Sequence, residues 1–215
     1  MLEVYYEDDL TTLYHGDCRQ VLPWLPDADL LLTDPPYGIG VCPKGTISSR
    51  RQGSRKYKPV TWDAAPPPRW LIDQACEKSK WQIIWGGGHI GGLPRATCWL
   101  CWDKKNDGLD FSQMEIAWTN LPRAVRVFRW LWSGCRQEQK EVRFHPTQKP
   151  VPLMAWCFKF VPKAKTILDP FAGSGSTMVA AKLSGRKCIG IERDLDYCKI
   201  AADRLRSTPA NPSNN

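Results

Sequence analysis

The chain has 215 residues, enough for one well-buried unit and too few for two of ordinary size. Thirty Lys and Arg against 22 Asp and Glu leave a net charge of +8, which points to a polyanionic partner, with nucleic acid first in line. No apolar run approaches the roughly 20 residues that cross a bilayer. The N-terminal Glu3, Glu7, Asp8 and Asp9 are acidic where a leader would be basic, so the expectation is a cytoplasmic protein without a membrane partner.

Short apolar runs predict strands at Leu30 to Thr33, Trp81 to Trp85, Thr97 to Trp102, Glu115 to Trp118, Val125 to Trp132, Thr166 to Leu168 and Lys187 to Ile191. Between the first two of these lies a segment, 38 to 62, with six basic residues (Lys44, Arg50, Arg51, Arg55, Lys56, Lys58) and no acid before Asp63. Interleaved Gly, Ser and Pro make it read as a long mobile loop. The nine cysteines are odd in number and lack a disulfide spacing, so they read as reduced thiols. Cys98 and Cys101 fall within one strand, where positions three apart face opposite sides, so no metal site is expected there.

The stretch 121 to 143 is again basic, with Arg123, Arg126, Arg129, Arg136, Lys140 and Arg143 against Glu138 and Glu141. Either basic segment suits a phosphate backbone. A solvated face is the competing reading of both. Leu153, Trp156, Cys157 and Phe160 share one helical face behind Pro152. Thr177 to Ser184 predicts a second helix, ended by Gly185. Asp194 can cap a third, with Leu195, Cys198, Ala202 and Leu205 on one side. Alternation of strand and helix from 166 to 206 defines an α/β fold with parallel strands. A single domain over 1–206 is expected, followed by a disordered Pro-, Asn- and Ser-rich tail at 207–215.

Two places carry chemistry. In the first, the strand ending at Asp169 runs through Pro170, Phe171, Ala172, Gly173, Ser174 and Gly175 into a helix opening at Ser176 and Thr177. Glycines there allow a sharp turn and a close approach to a ligand at the positive end of the helix. A phosphate loop would need Lys before its Ser or Thr, and a dinucleotide fingerprint would want Gly where Met178 stands. Nineteen residues after Gly173, Glu192 closes the next strand, where an acceptor carboxylate meets ribose hydroxyls. Taken alone the loop fits an ordinary turn equally well; Glu192 favours the nucleotide-type pocket.

In the second, the run Leu30-Leu31-Leu32-Thr33 stops at Asp34-Pro35-Pro36-Tyr37. Ligands of open α/β sheets bind at the carboxyl ends of strands. Proline cannot donate, which leaves the Pro35 carbonyl free to accept. Asp34 and that carbonyl can hold the two hydrogens of one exocyclic amine, and Tyr37 offers a ring for a base to stack on. Acceptors on both N–H groups favour the pyramidal amine that can attack a methyl carbon. The chain holds no Pro-Cys dipeptide of the kind a C5-cytosine methylase uses for its nucleophile.

With Asp34 to Tyr37, the block His145-Pro146-Thr147-Gln148-Lys149-Pro150 and the loop Asp169 to Gly175 in that order, the chain resembles the amino-methylating DNA methyltransferases of the circularly permuted β group. The resemblance spans nearly the whole chain. It implies a Rossmann-like S-adenosylmethionine-dependent fold with a seven-stranded, mostly parallel sheet and helices on both faces. It also implies that Asp17, with Cys18 beside it, contacts the cofactor adenine, and that His145, Thr147 and Lys149 close over its methionine end. Trp102 to Lys105 and Glu115 look like structural residues of the family. Asp-Pro-Pro-Tyr goes mainly with N6-adenine enzymes acting on double-stranded DNA after base flipping. N4-cytosine methylation and a non-catalytic DNA-binding relic remain the alternatives, as do a homodimer or a companion specificity or restriction protein. Sequence readout would fall to the two basic segments, with Lys44, Arg50, Arg51, Arg55, Lys56, Lys58, Arg123 and Arg126 as the DNA contacts.

Overall fold

The computed structural model describes residues 3–41, 44, 46–49, 53–56, 62–108, 112–133, 136–139 and 141–210. In chain order the elements are β1 (Glu3–Glu7), β2 (Thr11–His15), α1 (Cys18–Val21), β3 (Ala28–Thr33), β4 (Thr46–Ser49), β5 (Gly53–Lys56), α2 (Arg69–Glu77), β6 (Ser79–Trp85), β7 (Trp99–Asp103), β8 (Met114–Thr119), β9 (Arg126–Arg129), β10 (Trp132–Ser133), β11 (Arg136–Gln137), α3 (Val151–Cys157), β12 (Thr166–Asp169), α4 (Ser176–Leu183), β13 (Lys187–Glu192) and α5 (Leu195–Arg206). No helix among the described residues is long and apolar enough to cross a membrane.

The strands from β1 to β9, with β12 and β13 but without the β4–β5 hairpin, form one sheet in the order β1-β2-β13-β12-β3-β6-β8-β7-β9. Five of its pairings are parallel; β1 on β2 and both neighbours of β8 are antiparallel. The family resemblance led to an expectation of seven strands, and the sheet has nine among the described residues. Strand β1, at one edge, gave no alternating pattern. It is folded back by Asp8, whose carboxylate accepts from Leu10 N at 3.0 Å and Thr11 N at 2.8 Å, and which pairs with Lys182 of α4 at 2.6 Å. At the other edge, β9 pairs in parallel with β7.

Leu30, Leu31 and Leu32 are all wholly buried, which explains why β3 reads as a continuous apolar run. Leu30 and Leu32 meet the face covered by α3, α4 and α5, where Leu153, Cys157, Met178, Ala181 and Cys198 pack. Leu31 meets the opposite face, with Val21, Leu22, Leu71 and Ile72 from α1, α2 and the turn between α1 and β3. Each such buried leucine contributes about 2 kcal/mol through lost apolar exposure. Helices therefore cover both faces. Asp194 caps α5, its carboxylate accepting from Asp196 N at 2.9 Å, in agreement with the sequence.

One expectation needs correction. Where a long mobile loop was expected over 38–62, residues 46–49 and 53–56 form an antiparallel hairpin, β4 on β5, whose sequence lacks the apolar alternation that marks a strand. The stretch 121–143 carries β9 within the strand expected at Val125 to Trp132. Leu121 and Trp132 are buried, Phe128 and Trp130 stack at 5.7 Å and Phe128 packs on Trp156, so this stretch completes the sheet edge.

Candidate active site

The parallel strands β2, β13, β12 and β3 lie side by side, so their carboxyl ends open together into a cavity of about 300 Å³. Each strand delivers one acidic residue to the lining: Asp17 after β2, Glu192 at the end of β13, Asp169 at the end of β12 and Asp34 after β3. Pro36, Leu71, Phe171, Ile191 and Trp62 supply apolar walls.

The glycine loop is shaped as its sequence requires. Gly173 and Gly175 have φ of +53° and +80°, a region that disfavours side chains, and a Cβ on Gly175 would stand 3.0 Å from Ala201 Cβ. Glu192 braces the loop: Oε2 accepts from Gly173 N and Oε1 from Asp194 N, both at 2.8 Å. Burial raises the Glu192 carboxyl above its ordinary value, against the pull of those backbone donors. Asp169 accepts from Thr33 Oγ1 at 2.7 Å and Phe171 N at 3.2 Å, and burial pushes it up to about 6. Phe171, Ala172, Ser174, Ser176 and Thr177 line the cavity beside it. Asp17 caps α1 through Arg19 N at 2.9 Å and is paired with the Arg19 guanidinium. Cys18 lines the cavity too, its thiol pushed up to about 12, chiefly by burial.

The Asp34 side holds a network of four groups. Tyr37 OH donates to Asp34 Oδ1 at 2.7 Å, and Lys149 Nζ donates to Asp34 Oδ2 at 2.7 Å and to Tyr37 OH at 3.1 Å. Lys149 also meets Glu115 Oε2 at 2.9 Å, and Glu115 is paired with Lys104 on its other oxygen. Burial works against charge on Glu115, but Lys149 and Lys104 overcome it and hold the carboxyl at about 2. Burial penalises the Lys149 ammonium as well, yet Asp34 and Glu115 outweigh that and keep it protonated. For Asp34 burial prevails; with the Glu115 charge it raises the carboxyl against the attraction of Lys149. The Tyr37 ring stacks on His89 at 4.9 Å and 14°.

The block 145–150 closes the cavity between these halves. His145 stacks on Trp62 at 5.0 Å and tilts against Tyr197 at 4.4 Å. Burial, then the Lys149 charge, lowers its imidazole to about 3, so it is neutral and Nδ1 accepts from Thr147 N at 3.2 Å. Gln148 is buried and ties the block to the glycine loop, its Oε1 accepting from Ser174 Oγ at 3.3 Å.

Asp17, Cys18, His145, Thr147, Lys149, Asp169, Glu192 and the loop residues other than Gly175, which packs on Ala201, thus share one cavity with Asp34, Pro35, Pro36 and Tyr37. Lys149 differs from the expectation: its ammonium faces Asp34 and Glu115, where a contact to a ligand carboxylate was anticipated. Glu115, read as structural, belongs to the same network. Asp63, Trp62 and His89 carried no sequence signal, because each acts through a partner far away in the chain. Arg123 and Arg126 are exposed and do not line the cavity, Lys44 is exposed, and Arg55 and Lys56 lie on β5. Arg50, Arg51, Lys58 and the tail from 211 lie outside the described residues.

An α/β sheet with a glycine loop and an Asp-Pro-Pro-Tyr turn opening into one cavity is the architecture of a group-transfer enzyme acting on a nucleotide-like ligand. The DNA methylase model of the N6/N4 methyltransferases matches residues 102–203. The type II methyltransferase M2.LlaDCHI of Lactococcus lactis subsp. cremoris is 44% identical, over 95% of this chain and 93% of its own length. The DNA adenine methyltransferase YhdJ of Escherichia coli (strain K12) is 28% identical, over 93% of this chain and 84% of its own. Among solved structures, an M1.HpyAVI–SAM complex superposes with a TM-score of 0.56 at 19% identity, over 91% of this chain and 99% of that one, a likeness of fold. The chain belongs to the N6/N4 DNA methylase family.

Proposed function

We propose that this DNA methylase transfers a methyl group from S-adenosylmethionine to the exocyclic N6 amine of an adenine extruded from double-stranded DNA. The observation that carries the reading is the placement of Asp34 and the glycine loop on the adjacent parallel strands β3 and β12, so that amine acceptor and donor pocket face one cavity. The cavity suits the donor: its volume is that of a small-molecule site, its walls are apolar, and carboxylates from four strand ends favour a cation. Asp17 and Glu192 would hold the adenosine, and the loop 171–177 with His145 and Thr147 would hold the methionine end. When bound, the sulfonium of the donor supplies an electrophilic methyl carbon.

The chain's own residues then position and deprotonate the amine. Asp34 and the Pro35 carbonyl accept its two hydrogens, which turns the nitrogen lone pair toward the methyl carbon. The carbon–nitrogen bond forms as the carbon–sulfur bond breaks, and the excess proton leaves the nitrogen for Asp34. A carboxyl raised by burial is a better base for that proton than an ordinary aspartate. The amine of a paired adenine is engaged within the duplex, so the base has to leave the stack first.

Adenine is favoured over cytosine by the Asp at the head of the motif and by the relative named an adenine methyltransferase. The order of catalytic motif, closing block and glycine loop is that of the circularly permuted β group. Incubation with unmethylated DNA and donor, followed by mass analysis of the nucleosides, is expected to yield N6-methyladenine. N4-methylcytosine in its place would overturn the choice of base, and no methylated nucleoside at all would overturn the reading.

A further inference from the structure

Asp63 is 3% exposed, and four backbone donors between Tyr37 and Val41 end on it. Its Oδ1 accepts from Tyr37 N and Gly38 N, each at 2.8 Å, and its Oδ2 from Val41 N at 3.0 Å. Its own carbonyl accepts from Gly40 N at 2.9 Å. A carboxylate ringed by successive N–H groups is a nest turned inward, and it fixes the path of the chain around it. The turn depends on that path. Gly38 and Gly40 have φ of +74° and +62°, and a Cβ on Gly38 would fall 2.5 Å from Pro66 Cδ, so the turn is pressed onto the segment that follows Asp63.

This turn leads directly out of the Asp-Pro-Pro-Tyr motif. Tyr37 is held at three points: its N–H by Asp63, its ring against Gly86 and His89, and its OH by Asp34 Oδ1 at 2.7 Å. A Cβ on Gly86 would lie 1.9 Å from the ring, so the ring has no room to follow a backbone that drifts. Displacing the Tyr37 backbone therefore breaks the hydroxyl contact that orients Asp34. The same turn carries Ile39, 59% exposed at the mouth of the cavity.

We propose that Asp63 is a positioning residue for methyl transfer, clamping the turn Tyr37 to Val41 so that Tyr37 OH holds Asp34 in line with the donor. The proposal rests on the functional reading above. It is tested with the full chain as Asp63→Asn, which keeps one oxygen for Tyr37 N and Gly38 N but sets an NH2 group against Val41 N, and as Asp63→Ala. Single-turnover methylation of unmethylated plasmid DNA with labelled S-adenosylmethionine is expected to slow about 10-fold in Asp63→Asn and further in Asp63→Ala, as small misplacements of reacting groups do. Donor affinity, measured directly by calorimetry, is expected to stay within about two-fold of wild type, since Glu192 and its bonds to the glycine loop are left in place. In a Tyr37→Phe background, which lacks the hydroxyl, Asp63→Asn is expected to cost under about three-fold. The same fold-loss in both backgrounds, a wild-type rate in Asp63→Asn, or a loss confined to donor affinity would each overturn the role. A wild-type protein inert on DNA would overturn the function itself, which separates the two failures.

Discussion

Lys149 Nζ lies 2.7 Å from Asp34 Oδ2, across 115 residues of chain. The same ammonium meets Glu115, so one buried cation bridges the carboxylate that would receive the target amine and a second carboxylate behind it, which Lys104 also pairs. The arrangement gives Asp34 a defined geometry in a site where an unpaired charge would be costly.

Replacing Lys149 with Met removes the charge that lowers the Asp34 carboxyl and leaves burial and Glu115, both of which raise it. The fraction ionised at a given pH falls, so the acid limb of the single-turnover rate moves to higher pH. A rate loss of roughly 10²-fold at neutral pH is expected from a disturbed proton acceptor. Taking the cation from buried Asp34, with Glu115 left to Lys104 alone, also costs about 3–5 kcal/mol of stability. The double variant Lys149→Met with Glu115→Gln is expected to recover part of that in urea unfolding. An unmoved acid limb in the single variant would detach Lys149 from the titration of Asp34.

Asp169 makes an opposite prediction for stability. Its folded pKa of about 6 lies above the ordinary value near 4, so the protonated form is the one the fold prefers. Its contribution is fully present below about pH 4 and is lost as pH rises through about 6. Asp169→Asn stays neutral and keeps an oxygen for Thr33 Oγ1 and Phe171 N. Its gain over wild type, without donor, is expected to grow between about pH 4 and pH 6 and to level at about 3 kcal/mol. Urea unfolding at several pH values measures it; a gain independent of pH would show that charge is not the cause.

Arg123 and Arg126 stand exposed at the β9 edge. If both contact phosphates as their charge and exposure lead us to expect, changing them to Ala lowers the slope of log affinity against log salt by about 2. DNA binding titrated across salt concentrations reads this directly, and an unchanged slope would assign recognition elsewhere.

Much of this protein is written locally. Leu30 to Thr33 followed by Asp-Pro-Pro-Tyr, and Thr166 to Asp169 followed by Gly-x-Gly, are contiguous, and strand, turn and helix follow from neighbouring side chains and from glycines with positive φ. Even the absent third glycine has a local trace with a distant reason: Met178 is accommodated because Gly190 on β13 has no Cβ, which would lie 2.4 Å from the Met178 sulfur. The edge strand β1 and the β4–β5 hairpin escaped because neither has one apolar and one polar face to betray its period.

What only the tertiary structure decided is which side chains meet. Glu115 lies on an antiparallel strand and Lys149 ahead of α3, and only the folded sheet brings both to Asp34. Asp63 reads as an ordinary acid after a tryptophan until its carboxylate is seen to gather the N–H groups of Tyr37, Gly38 and Val41. Periodicity and turn chemistry act over a few residues and are legible in sequence. Pairing of buried charges and satisfaction of buried donors act through space, and they take their partners from wherever the strand order places them.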